Sequence, residues 1–124
     1  MSIRCTVDGP IAEVVMHHPP VNALTVADTW KIGDTFAELG QRDDVRAIVF
    51  TAEGKGFNAG IDIKEMQSVE GWEHLLGSGE ACYHTFHTIY TCPIPVIAAV
   101  NDFCMGLGIG LGASCDLIVA SKQA

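Results

Sequence analysis

Gly54-Lys55-Gly56-Phe57-Asn58-Ala59-Gly60-Ile61-Asp62 follows the apolar run Val45 to Ala52, and its three glycines fall within seven positions. Glycine takes positive φ at little steric cost and lets a backbone approach another molecule with no Cβ in the way. A strand that ends in such a turn leaves peptide N–H groups unpaired and pointing outward. Those donors must be satisfied by water, a side chain or an anionic ligand. A second cluster, Gly106-Leu107-Gly108-Ile109-Gly110-Leu111-Gly112, follows another strand-like run, Val96 to Val100. Two strand-then-glycine units offer two backbone amides able to converge on one developing negative charge. Glycine inside a helix costs about 1 kcal/mol relative to alanine. Gly106, Gly108, Gly110 and Gly112 at every second position therefore imply close approach of a helix to the sheet, or of backbone to a ligand.

The flanking segments alternate strand and helix patterns, which predicts βαβ units and a mostly parallel sheet. Ser2 to Val7 and Ile11 to Met16 flank Asp8-Gly9-Pro10, a turn signal, and predict a hairpin. His17-His18-Pro19-Pro20 breaks the strand. Adjacent histidines in an extended loop point to opposite sides, so they are not expected to bind metal together. Thr25 caps a helix with Asp28 three positions on and Gly40 just past its end. Ile32, Phe36 and Leu39, with Trp30 nearby, form its core-facing stripe. Arg46 to Thr51 reads as a strand buried on both faces. Ile63 to Met66 starts a short helical turn, and Gln67 to Glu80 reads as a mobile connection. Cys82, Tyr83, Phe86, Ile89 and Tyr90 mark one face of a further helix, with His84 and His87 solvated or packed.

With 15 acidic against 7 basic residues and a formal net charge of −8, the chain lacks the clustered cations that nucleic acid requires. At 124 residues it is one domain, able to bury roughly two-thirds of its unfolded surface. The five cysteines (Cys5, Cys82, Cys92, Cys104, Cys115) are odd in number and lack a CxxC, so buried reduced thiols in a cytoplasmic protein are expected, not a disulfide framework or zinc site. No basic stretch followed by an apolar one opens the sequence, so no signal peptide is expected. Phe103 to Ala120 is long enough to span a bilayer, but four glycines and Asp116 argue against a membrane helix.

The order Pro20-x-Asn22-Ala23-Leu24, then Gly54-x-Gly56-Phe57-x-Ala59-Gly60-x-Asp62-Ile63-Lys64-Glu65-Met66, then Pro95 to Asn101 with the glycine cluster and Cys115-Asp116, resembles the enoyl-CoA hydratase/isomerase (crotonase) superfamily. The resemblance implies an α/β fold with a crotonase-like ββα superhelical spiral core (the ClpP/crotonase fold). Members are about twice as long, and the sequence stops just after the strand-like Asp116 to Ala120. Residues 1–124 are therefore expected to be the amino-terminal part of such a domain in a truncated gene product or fragment, with apolar faces exposed.

The same resemblance implies an acyl-CoA thioester substrate, no separate cofactor and no metal, and trimeric or hexameric assembly. It makes the N–H groups of Ile61 and Leu107 the oxyanion-hole donors. It places Asn22, Ala23, Leu24, Ala59, Gly60, Asp62, Ile63, Lys64, Gly106 and Gly108 against the substrate. CoA is polyanionic and the chain is acidic, so its site must rely on local donors such as Lys55 and Lys64 and on backbone amides. Leu107 replaces the usual glycine, and Gly110 stands where hydrating members carry the first catalytic glutamate. The second glutamate would fall beyond Ala124. Without either carboxylate, paired acid/base addition of water is not supported, which favours a hydrolase or isomerase. The wording of the motifs is similar to an actinobacterial branch that opens rings of CoA-linked steroid fragments by hydrolytic carbon–carbon cleavage.

Gly54-x-Gly56-x-x-Ala59 and Gly108-x-Gly110-x-x-Ala113 both match a loose dinucleotide fingerprint. The first is interrupted by Gly60 and Asp62 where a helix should open, and Glu73 lies in no strand, so a Rossmann unit is disfavoured. No phosphate-binding GxxxxGK[ST] occurs. The non-enzymatic alternative is a truncated homologue that binds acyl-CoA or a partner protomer without turnover.

Overall fold

In the computed structural model, which describes residues 2–124, the apolar runs form strands β1 (Ile3–Asp8), β2 (Ile11–Met16), β3 (Ala47–Ala52), β4 (Val96–Val100) and β5 (Leu117–Ala120). They pair in that order, β1 antiparallel to β2 and each later neighbour parallel. Helices α1 (Val26–Leu39), α2 (Ile63–Ser68), α3 (Glu73–Tyr90) and α4 (Leu107–Ala113) fill the connections. The hairpin, the mostly parallel sheet and the α/β class thus follow the sequence pattern.

Helix α1 begins where Thr25 accepts a hydrogen bond from the Asp28 N–H at 3.1 Å, the cap its sequence predicts. Ile32, Phe36 and Leu39 are buried on its inner face. Gly40 ends the helix in a right-handed conformation (φ −62°), so no left-handed glycine cap is used. Phe36, Phe50 and Phe57 stack edge to face, with centroids 5.2 and 5.5 Å apart. Each such pair contributes about 0.5–1.5 kcal/mol beyond area burial. The Phe50–Phe57 contact ties the Gly54–Asp62 loop to β3.

Four expectations need correction. Strand β3 is not buried on both faces: Ile48, Phe50 and Ala52 are buried while Ala47, Val49 and Thr51 are half-buried. The core cluster that holds Ile32, Phe36 and Ile89 takes only the Ile48/Phe50 side. Gln67 to Glu80 is not one long connection, because α3 already starts at Glu73. Gly77 and Gly79 sit within that helix with nothing near their missing Cβ atoms, so there the fold overrides their low helix propensity.

The inner face of α3 is Ser78, Ala81, Thr85 and Ile89, whereas Tyr83 and Tyr90 are exposed. Small residues win because α1 lies too close for rings: a Cβ on Gly33 would stand 2.9 Å from the Thr85 hydroxyl. Thr85 in turn donates to the Thr29 carbonyl at 2.6 Å, satisfying a buried hydroxyl. Trp30 reaches the surface and packs on His84, centroids 4.6 Å apart. The thiols are free but not deeply buried, Cys5 being exposed and the other four half-buried.

Strand β5 presents Leu117, Ile118 and Val119 to solvent on both faces. No helix among the described residues is long and apolar enough to cross a membrane.

Candidate functional site

Asn58, fully buried, is the pin that joins three loops. Its side-chain oxygen accepts from the Gly60 N–H at 2.8 Å and its amide donates to the Asn22 carbonyl at 2.5 Å. Its backbone carbonyl accepts from the Met105 N–H at 2.9 Å. Asn22 continues the network, donating to the carbonyls of Glu53 at 2.9 Å and Gly56 at 3.1 Å and accepting from the His18 N–H at 2.7 Å. The Pro20–Leu24 loop, the first glycine turn and the start of the second are therefore one hydrogen-bonded unit. Gly108 belongs to it by shape: a Cβ there would stand 2.8 Å from the Asn58 Cβ and 2.9 Å from its carbonyl oxygen.

That unit sets the two glycine turns back to back. Gly60 (φ +102°) and Gly106 (φ +55°) both hold left-handed conformations that favour glycine. A Cβ on Gly60 would lie 3.7 Å from the Leu107 nitrogen and 3.9 Å from the Gly106 Cα. With ordinary bond lengths this keeps the Ile61 and Leu107 nitrogens no more than roughly 7 Å apart.

Leu24 bridges Ile61 in parallel fashion, its N–H reaching the Gly60 carbonyl at 2.9 Å and its carbonyl accepting from Asp62 at 2.8 Å. In that pattern the Ile61 N–H points away from Leu24. Leu107 is the first residue of α4, where N–H groups have no intrahelical acceptor. Neither N–H donates to a protein acceptor among the described residues.

Both residues line a cavity of about 500 Å³, with Ala59, Gly60, Ile63, Gly106 and Gly110 and, from α3, Cys82 and Phe86. A second cavity of about 430 Å³ shares the wall made by Ala59, Ile61 and Ile63 and runs to His18, Ala23, Asp62 and Lys64. A third, of about 370 Å³, shares Phe86 and Gly110 with the first and continues to Tyr83, His87 and Tyr90. The shared walls make a row of three hollows with the two amides at the middle one.

Of the residues singled out in sequence, Ala23, Ala59, Gly60, Ile61, Asp62, Ile63, Lys64, Gly106 and Leu107 line this row. Asn22, Leu24 and Gly108 lie behind the wall in the supporting framework. The Asp62 carboxylate is engaged as the cap of α2, accepting from Lys64 N–H at 3.0 Å and Glu65 N–H at 3.2 Å. Lys64 is exposed and has no ion-pair partner among the described residues.

No carboxylate lines the central cavity. Its one titratable group is the Cys82 thiol, which burial pushes above its ordinary range and a hydrogen bond with Ser78 partly restores. His17 and His18 each meet one carboxylate, Glu53 at 3.3 Å and Asp28 at 3.4 Å. Among the described residues no cluster of metal-ligating side chains occurs.

Sequence reasoning missed Asn58, Cys82 and Phe86. Asn58 carried a signal: its side chain bonds the backbone two residues on, the turn habit of asparagine. Cys82 and Phe86 carried none beyond an apolar helix face.

The family model described as enoyl-CoA hydratase/isomerase matches residues 6–124. The chain is 46% identical, over its whole length and 51% of the relative's, to the (7aS)-7a-methyl-1,5-dioxo-2,3,5,6,7,7a-hexahydro-1H-indene-carboxyl-CoA hydrolase of Mycobacterium tuberculosis. The protein of the same name in Rhodococcus jostii is 42% identical over the whole chain and 48% of its own length. Among solved structures, the enoyl-CoA hydratase of Mycobacterium smegmatis superposes with a TM-score of 0.91 at 33% identity, covering 97% of this chain and 48% of that one. The chain spans about half the length of the curated relatives it matches. With the five-stranded mixed sheet and the two converging turns in place, the match over nearly every residue shows that this chain belongs to the enoyl-CoA hydratase/isomerase family.

Proposed function

We propose that the chain binds an acyl-CoA thioester and that the Ile61 and Leu107 N–H groups together stabilise the enolate oxygen formed from its carbonyl. The observation that carries the reading is that Ile61 and Leu107, whose N–H groups meet no acceptor among the described residues, line one cavity together. Removing a proton α to a thioester, or cleaving a carbon–carbon bond β to it, gathers charge on the thioester oxygen. Preorganised donors suit that charge, and losing one costs about 3 kcal/mol in a well-studied hole.

The hollow lined by His18, Ala23 and Lys64 takes the CoA arm, with the free Lys64 ammonium at the rim for its phosphates. Water addition by two carboxylates is not the preferred chemistry, since Gly110 supplies no side chain and the middle cavity holds no acid. A hydrolase or isomerase fits better, and the hydrolase names of the M. tuberculosis and R. jostii relatives point the same way. The proton-transfer group would come from outside the middle cavity's lining. Self-association as a trimer or hexamer belongs to the same proposal.

Proline is tolerated at the first position of a helix and deletes the N–H. Leu107→Pro should therefore keep α4 and cut turnover of an acyl-CoA by about 10²–10³-fold. Leu107→Ala, which keeps the amide, should cost far less. Equal losses in the two variants would refute the donor role. Tight acyl-CoA binding with no turnover by the unaltered chain would leave a binding protein in place of an enzyme.

A further inference from the structure

The row of hollows has a fixed order. The hollow at Lys64 and the hollow at Tyr83 share no lining residue, and each shares a wall with the one between them. A thioester held at the middle with its CoA arm toward Lys64 reaches the further hollow with its acyl group past Phe86 and Gly110, the two residues those hollows share.

Phe86 and Gly110 face each other across that passage. A Cβ on Gly110 would collide with the outer edge of the Phe86 ring, contacting Cζ, Cε1 and Cε2. The ring therefore lies directly on the α4 backbone, in space that any side chain at 110 would need. Phe86 is half-buried, and the hollow beyond it is bordered by exposed Tyr83, His87 and Tyr90, so the ring has room to leave its seat.

We propose that Phe86, seated on Gly110, is the residue that sets how large an acyl group the site accepts. With the ring down, the way from the middle hollow of about 500 Å³ to the further one is blocked, which suits a short acyl chain. With the ring shortened or displaced, it opens into the further 370 Å³ and takes a polycyclic acyl group. The assignment rests on the acyl-CoA reading above.

The test is equilibrium binding of free CoA, butanoyl-CoA and 2-naphthoyl-CoA to the unaltered chain and to Phe86→Ala and Phe86→Leu, with thermal melting of each. Phe86→Ala should raise the ratio of naphthoyl to butanoyl affinity at least tenfold, and Phe86→Leu should raise it less. Gly110→Ala should lower the melting temperature when Phe86 is present and raise it in the Phe86→Ala background, where the collision is gone and alanine favours the helix. That sign reversal keeps the seating measurable if a Phe86 variant binds poorly. An affinity ratio unchanged in both Phe86 variants, while butanoyl-CoA still binds more tightly than CoA, overturns the selector role. If no thioester binds more tightly than free CoA to any of the three proteins, the acyl-CoA reading falls first and the selector role with it.

Discussion

Replacing Asn58 with alanine should be among the most costly single changes in the chain. The side chain is fully buried and satisfies two backbone groups that nothing else reaches, the Gly60 N–H at 2.8 Å and the Asn22 carbonyl at 2.5 Å. Each group left buried and unpaired costs about 1–3 kcal/mol. The Cβ that packs beneath Gly108 remains, so the loss is mainly polar and totals about 2–6 kcal/mol. Urea unfolding with linear extrapolation measures it, and an unchanged slope will show that the unfolded state is not the cause.

Asn58→Asp separates hydrogen bonding from shape. One carboxylate oxygen can still accept from Gly60, but the other faces the Asn22 carbonyl, acceptor against acceptor, with buried charge added. Burial raises the carboxyl's folded pKa above its unfolded value, so its protonated form, which can donate to Asn22, is the one the fold favours. Asn58→Asp should therefore be as damaging as Asn58→Ala at neutral pH and recover as the pH falls through the folded pKa toward the ordinary carboxylate value. A loss below about 0.5 kcal/mol in Asn58→Ala, the size of a typical surface substitution, would refute the pinning role. So would an Asn58→Asp chain as stable as the unaltered one at pH 7.

Two further outcomes follow from ionisation. Arg4 hydrogen-bonds Glu53 and holds its carboxyl below the ordinary range. A depressed carboxylate pKa contributes stability above the unfolded value and loses it as pH falls through the folded one. The melting-temperature advantage over Glu53→Gln should thus be full above about pH 4.3 and vanish on further acidification. It should also shrink in high salt, because both side chains are about half exposed; an advantage that persists in strong acid would contradict the pairing. Burial, assisted by the Asp116 charge, pushes the Cys115 thiol up to about 12. At pH 8 about one such thiol in ten thousand is then ionised, so iodoacetamide should label Cys115 last in the folded chain, and together with the others in urea. Mass spectrometry of peptides decides this, and early labelling of Cys115 would contradict the burial.

The parts legible in sequence are those written in local chemistry. Thr25 capping α1, the Asp8–Pro10 turn and the strand-then-glycine junctions are each set by neighbours in the chain. The turns' conformations at Gly60 and Gly106 were legible for the same reason. What was not legible depends on partners far along the chain. The inner face of α3 is small because α1 packs at Gly33, and no pattern within α3 announces that. Of the predicted face, Ile89 is buried and Cys82 and Phe86 pack against the core, but Tyr83 and Tyr90 are exposed, since rings count as hydrophobic whether or not they are covered.

Helix α3 runs back to Glu73 through Gly77 and Gly79, a stretch whose propensities favour a loop. In the candidate site, the convergence of the two turns was legible as a resemblance. The Asn58 pin that enforces it, and the Phe86 ring on Gly110, emerge only when residues 36, 47 and 24 positions apart meet.

In the proposed function the peptide nitrogens of Ile61 and Leu107 serve one oxygen atom. Labelling the backbone with ¹⁵N and titrating with butanoyl-CoA against free CoA tests it directly. Both amide protons should move downfield together, along one saturation curve, with the thioester and not with CoA. A thioester that binds while only one of the two moves, or neither, would contradict the account.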